Sequence, residues 1–134
     1  MAATSNRERA VKVVLVVLGL FTVIANIYPL VTSFLAGLRP TAGTTAPMFW
    51  TMYATLGLFL VLAARNPTAH RSLIAFAAWS SVAHAAVMVL MAMQLPTKRG
   101  ELLAGAAVTG LGAVLLFVFA PRKETASATS GPLR

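Results

Sequence analysis

Between Val11 and Ala36 the sequence runs almost unbroken through apolar residues, and three more such runs follow at 48–64, 72–95 and 101–120. A bilayer's hydrocarbon core takes about 20 residues of α-helix to cross. The second run is short for that and is expected to borrow a residue or two at each end. No Asp occurs anywhere in the chain, and of the three Glu, Glu8 and Glu124 fall outside the apolar runs and Glu101 stands at the very start of the last one. In lipid every backbone N–H and C=O must be satisfied within the segment, so runs of this kind are read as helices.

Composition closes off the soluble alternative. Of 134 residues, 58% are hydrophobic and 10% charged, against about 25% charged in an average soluble domain. One small core could not hide that much apolar surface. The expectation is an all-α integral membrane protein, an up-down four-helix bundle. A polar cytoplasmic segment (1–10) precedes it, and a Ser-, Thr-, Ala- and Gly-rich cytoplasmic tail (121–134) with the composition of disorder follows. The first run follows Arg7, Arg9 and Lys12 as a signal peptide would. It is too long for one and no small-x-small cleavage site follows, so it is read as a retained span.

The formal charge of +8 orients the chain rather than pointing to nucleic acid. Arg7, Arg9, Lys12, Arg65, Arg71, Arg122, Lys123 and Arg134 fall on one side of the membrane, and Arg39, Lys98 and Arg99 on the other. Eight against three is the asymmetry of cytoplasmic loops; a nucleic-acid binder needs a continuous basic face. Both termini and the Arg65–Arg71 turn are therefore expected inside, with the Gly37–Pro47 and Pro96–Gly100 connections outside. Short connections make neighbouring helices antiparallel.

Polar residues within the spans are the candidates for function, because hydrocarbon makes them costly. The first span carries Thr22, Asn26, Tyr28, Thr32 and Ser33, and the second Thr51, Tyr53 and Thr55. The third carries Trp79, Ser80, Ser81 and His84, and the fourth Thr109 alone. At ~1.5 Å per residue, His84, Tyr53 and Asn26 lie at similar depth in the outer half. Ser80, one turn before His84, could orient its imidazole. Pro29 cannot donate to the carbonyl of Ala25, which leaves a polar niche beside Asn26. A ligand site is thus expected to draw on His84, Ser80, Tyr53, Asn26 and Trp79; interhelical bonding that merely holds the bundle is the bland alternative.

Other chemistry is weighed and set lower. Without cysteine there is no disulfide, thiolate nucleophile or cysteine-bound metal. No metal is expected; His84, Met88 and Met91, at i, i+4, i+7, would suit only Cu(I). His70 and His84 stand ~21 Å apart along one helix, too far to ligate one haem within a monomer, and no cofactor can be named. With no carboxylate in the membrane, an ion-coupled transporter and a nucleophile–base–acid triad are excluded. Glu101 beside Lys98 and Arg99 reads as a surface ion pair. Gly100, Gly105, Gly110 and Gly112 among alanines make the fourth span a small-residue packing surface, matched by Ala77, Ser81 and Ala85 on the third.

Several stretches together resemble a bacterial domain-of-unknown-function family of small four-span membrane proteins. They are Arg7-Glu8-Arg9-Ala10-Val11-Lys12, Tyr28-Pro29-Leu30, Met52 to Gly57, Ala63-Ala64-Arg65-Asn66-Pro67, and above all the block from His70 to Met88. The resemblance is stronger up to the third span than beyond it. It implies the fold and a bacterial inner-membrane location, and no activity. Three functions stay open at this point. One is a protein that binds a hydrophobic small molecule or membrane partner. The others are an enzyme on a lipid, quinone or isoprenoid with His84 as acid/base, and a structural subunit of a homo-oligomer or larger membrane complex.

Overall fold

The computed structural model describes residues 2–36 and 45–121, with side chains from residue 6 onward. Four α-helices follow one another: α1 Ala2–Leu35, α2 Ala46–Ala63, α3 Arg71–Gln94 and α4 Arg99–Phe119. All four are long and apolar enough to cross a membrane, and no strand occurs among the described residues. The chain is a multi-pass helical membrane protein. Most of the expected Gly37–Pro47 loop, including Arg39, and the tail from Arg122 lie outside the described residues.

Helix ends follow local chemistry. The polar lead-in is already helical, and a Glu8–Lys12 ion pair of 2.7 Å at i, i+4 braces it. Helix α2 starts at Ala46 because Pro47 fits a first turn, where its missing N–H would have no partner. Between α2 and α3, Asn66 Oδ1 accepts bonds from the Thr68 hydroxyl (2.8 Å) and the Ala69 N–H (3.3 Å), closing a tight turn. A 3-10 turn, Pro96–Lys98, leads into α4, and Arg99 Nε donates back to the Ala92 carbonyl at 3.2 Å.

Helix α1 packs along α2, and α3 along α4; the contacts between the two pairs are sparse. The buried ones gather at one end. Val11 and Leu15 of α1, Leu60 of α2 with Ala64 just beyond it, Ile74, Ala77 and Ala78 of α3 and Leu116 of α4 form one buried cluster. This is the basic end, where α1 and α3 begin and α2 and α4 finish. Arg7 Nη2 donates to the Ala120 carbonyl there, at 3.2 Å, so the start of α1 meets the finish of α4. An arginine suits that place because the last carbonyls of a helix lack partners and carry partial negative charge. Farther along, the buried residues are small: Gly19, Ala54, Gly57, Ala92 and Ala106. The two pairs part in that direction.

Glycine decides how closely α1 and α2 approach. A Cβ on Gly19 would stand 2.7 Å from the Gly57 carbonyl oxygen, and one on Gly57 would stand 2.7 Å from the Gly19 oxygen. Backbone faces backbone there, which only glycine permits. The fourth span packs along α3 through small residues, but not through most of its glycines. Gly100 and Gly110 face open space, Gly112 has only Leu18 at 3.7 Å, and Gly105 alone is closely covered, by the Met88 side chain. Ala106 and Ala113 are the small residues that α4 buries. Glycine count marked α4 as the packing surface, but burial follows which face meets a neighbour.

Candidate functional site

Where the helical pairs part they enclose a cavity of about 580 Å³ walled by all four helices. Its floor is the core itself, at Leu60, Ala77 and Leu116. From there it extends away from the basic end, with Phe21 and Asn26 of α1, Trp50 and Tyr53 of α2, His84 of α3 and Val108 of α4 on its walls. The volume falls in the range of small-molecule pockets, ~300–1,000 Å³. His84, Phe21 and Val108 are exposed, so the cavity is a cleft open at the side. No charged side chain lines it.

Tyr53 and His84 meet across the gap between α2 and α3. The phenol oxygen is 3.1 Å from Nδ1 of the imidazole, and the rings stand edge to face with centroids 5.3 Å apart. A neutral imidazole carries one donor and one acceptor nitrogen. When the phenol donates to Nδ1, the proton of the ring sits on Nε2 and is available as a donor.

The other polar groups on the wall are mostly engaged with their own helices. The Thr22 hydroxyl donates to the Leu18 carbonyl at 2.7 Å, Asn26 Nδ2 to the Thr22 carbonyl at 2.7 Å, and the Ser81 hydroxyl to the Ala77 carbonyl at 2.8 Å. These bonds satisfy donors that lipid would leave unpaired. Among the described residues, Asn26 Oδ1 and the Thr109 hydroxyl take no such partner. The cleft thus offers an acceptor on α1, a hydroxyl on α4 and an imidazole on α3, set in an apolar wall.

Of the residues singled out in the sequence, Asn26, Tyr53 and His84 line this one cleft; Ser80 and Trp79 lie outside it. The Ser80 hydroxyl bonds the Ala77 carbonyl at 3.1 Å and does not orient the imidazole; Tyr53 does. Trp79 is 65% exposed and stacks edge-on against Phe117 of α4, centroids 5.2 Å apart. Ser81, Thr22 and Thr109 also line the cleft. The signal for Ser81 was its spacing: Ala77, Ser81 and His84, at steps of four and three, make one helix face, and Ser80 lies to its side. Met88 covers Gly105 on α4, whereas His84 turns to α2. Met91 is exposed, and His70 is exposed in the turn at the basic end.

Residues 5–129 match the family model of DUF6632. The match takes in the fourth span, where the resemblance read from the sequence was weaker. No curated protein and no solved structure matches the chain. The chain with this four-helix architecture and its side-opening cleft belongs to DUF6632, a family of unknown function.

Proposed function

We propose that the bundle binds a hydrophobic small molecule with an uncharged polar head in the cleft between its helical pairs. The observation that carries this is the Tyr53–His84 bond on the wall of a cleft that all four helices line. The apolar lining suits a lipid-like body. A carbonyl head would accept from the imidazole N–H and the Thr109 hydroxyl, and a hydroxyl head would also donate to Asn26 Oδ1. A phosphate or carboxylate head has no cation to meet there, and burying an unpaired charge is costly. Quinones, isoprenoid alcohols and diacylglycerols have suitable heads. Native mass spectrometry of the wild type and His84→Ala in mild detergent tests this. A co-purifying small molecule lost from the variant supports it; identical spectra would count against it.

Two further readings keep an observation each. Tyrosine and histidine can each give and take a proton, so the same pair supports acid/base chemistry by His84 on a bound lipid, quinone or isoprenoid. The open outer face of α4 at Gly100 and Gly110 supports close packing against a second membrane helix, in a homo-oligomer or a larger complex. The same spectra report oligomeric mass.

The basic end is assigned to the cytoplasm on the charge asymmetry, which puts both termini inside. A bacterial inner membrane is the setting that the sequence resemblance implies.

A further inference from the structure

A second concavity lies at the basic end of the molecule, on the outer surface between α1 and α2. It is a groove of about 410 Å³ walled by Val13, Val16, Val17 and Val61, with Lys12 and Arg65 at its rim. Along each helix the cations come first and the valines follow: Val17 is five residues beyond Lys12, and Val61 four before Arg65. At ~1.5 Å per residue, Val16, Val17 and Val61 lie some 6–8 Å deeper in the membrane than the charges, and Val13 sits next to Lys12. An apolar channel topped by two cations at the depth of the bilayer surface has the polarity of an anionic lipid, head outward and chain inward.

We propose that this groove holds one anionic glycerophospholipid, its phosphate between Lys12 and Arg65 and the upper part of an acyl chain along the valines. Charge complementarity selects the occupant. Two cations face it, and the single carboxylate paired with either among the described residues is Glu8, on Lys12. That pair is exposed, with side-chain exposures of 62% for Glu8 and 42% for Lys12. Exposed pairs hold weakly, so Lys12 can exchange a carboxylate for a phosphate. Flexible stems let both cations adjust to a head group. This site is separate from the cleft: the two share no lining residue.

The test is native mass spectrometry of the full-length protein in mild non-ionic detergent, titrated with dioleoyl phosphatidylglycerol or dioleoyl phosphatidylcholine. The wild type should retain the anionic lipid in preference, by roughly 10- to 30-fold at low ionic strength given two nearby cations. The Lys12→Gln/Arg65→Gln double variant should lose that preference, and Lys12→Arg/Arg65→Lys should keep it. Val13→Trp, on the exposed wall of the groove, should weaken retention with both cations still in place. Arg99→Gln, at the far end of the bundle, should change nothing. Equal retention of the two lipids by the wild type would overturn the proposal. So would a double variant that behaves as wild type, or an equal loss in Arg99→Gln. Displacement of the lipid by glycerol 3-phosphate, which has no chains, would show a free-phosphate site and overturn the assignment to lipid.

Discussion

The Tyr53 hydroxyl stands 3.1 Å from Nδ1 of His84, and this bond ties α2 to α3 well away from the core. Among the described residues, the other side-chain bond between the helical pairs is Arg7 to the Ala120 carbonyl at the basic end. The molecule is thus fastened by apolar packing and an arginine at one end, and by a phenol–imidazole pair beside the cleft. The pair has two consequences: it ties α2 to α3 across the gap, and it engages Nδ1, leaving Nε2 as the imidazole nitrogen without a partner among the described residues.

Removing the hydroxyl separates these roles. Tyr53→Phe keeps the ring and its edge contact with His84 but frees Nδ1. Stability should fall by about 0.6 kcal/mol, and by no more than about 1.7 kcal/mol, the range for side-chain bonds between membrane helices. Unfolding in mixed micelles by increasing fractions of an anionic detergent measures it. Unchanged stability would show that the bond is not formed in the bilayer.

The close approach of α1 and α2 gives a sharper contrast. Gly19→Ala or Gly57→Ala sets a methyl group against a facing backbone carbonyl and should cost about 1–3 kcal/mol, as overpacking does. Gly110→Ala meets open space and should leave thermal unfolding in detergent nearly unchanged. If all three variants melt alike, the α1–α2 interface is not as close as described.

The two tryptophans offer a direct reporter. Trp50 lines the cleft, and Trp79 stacks outside it on Phe117. In Trp79→Phe the remaining fluorescence comes from Trp50. A short-chain quinone in the cleft should quench it saturably, and His84→Ala should weaken that quenching. Quenching that grows linearly with quinone in both proteins would mean partition into the detergent and no site.

Orientation can be read without background, because the chain has no cysteine. Single substitutions Ala69→Cys and Thr97→Cys place thiols in the turns at opposite ends of the bundle. In intact cells an impermeant maleimide should label Thr97→Cys and spare Ala69→Cys until the membrane is opened. The reverse pattern would invert the assignment.

Much of this was legible in the sequence. The spans follow from apolar length alone, and the depth match of Asn26, Tyr53 and His84 follows from counting residues along antiparallel helices. What counting could not give was azimuth. Ser80 and Ser81 are equally plausible neighbours of His84 by distance along the helix. Only the direction from which α2 and α4 approach decides that Ser81 faces the cleft and Ser80 does not. Glycines misled for a similar reason. The four on α4 drew attention by number, whereas one glycine each on α1 and α2, Gly19 and Gly57, set backbone against backbone. That contact is a property of a pair of helices, and neither sequence segment carries it alone.

The parting of the helical pairs also bears on the order of assembly. Within each pair the partners are neighbours in the chain, so either hairpin can close by local contacts as it enters the membrane, at little entropic cost. The cleft needs all four helices and is complete only when the second hairpin docks on the first. Residues 1–66, expressed alone, would then be able to insert and form the Gly19–Gly57 crossing without ever having a site. The last of the four helices to be made, α4, completes the second hairpin and with it the wall of the cleft.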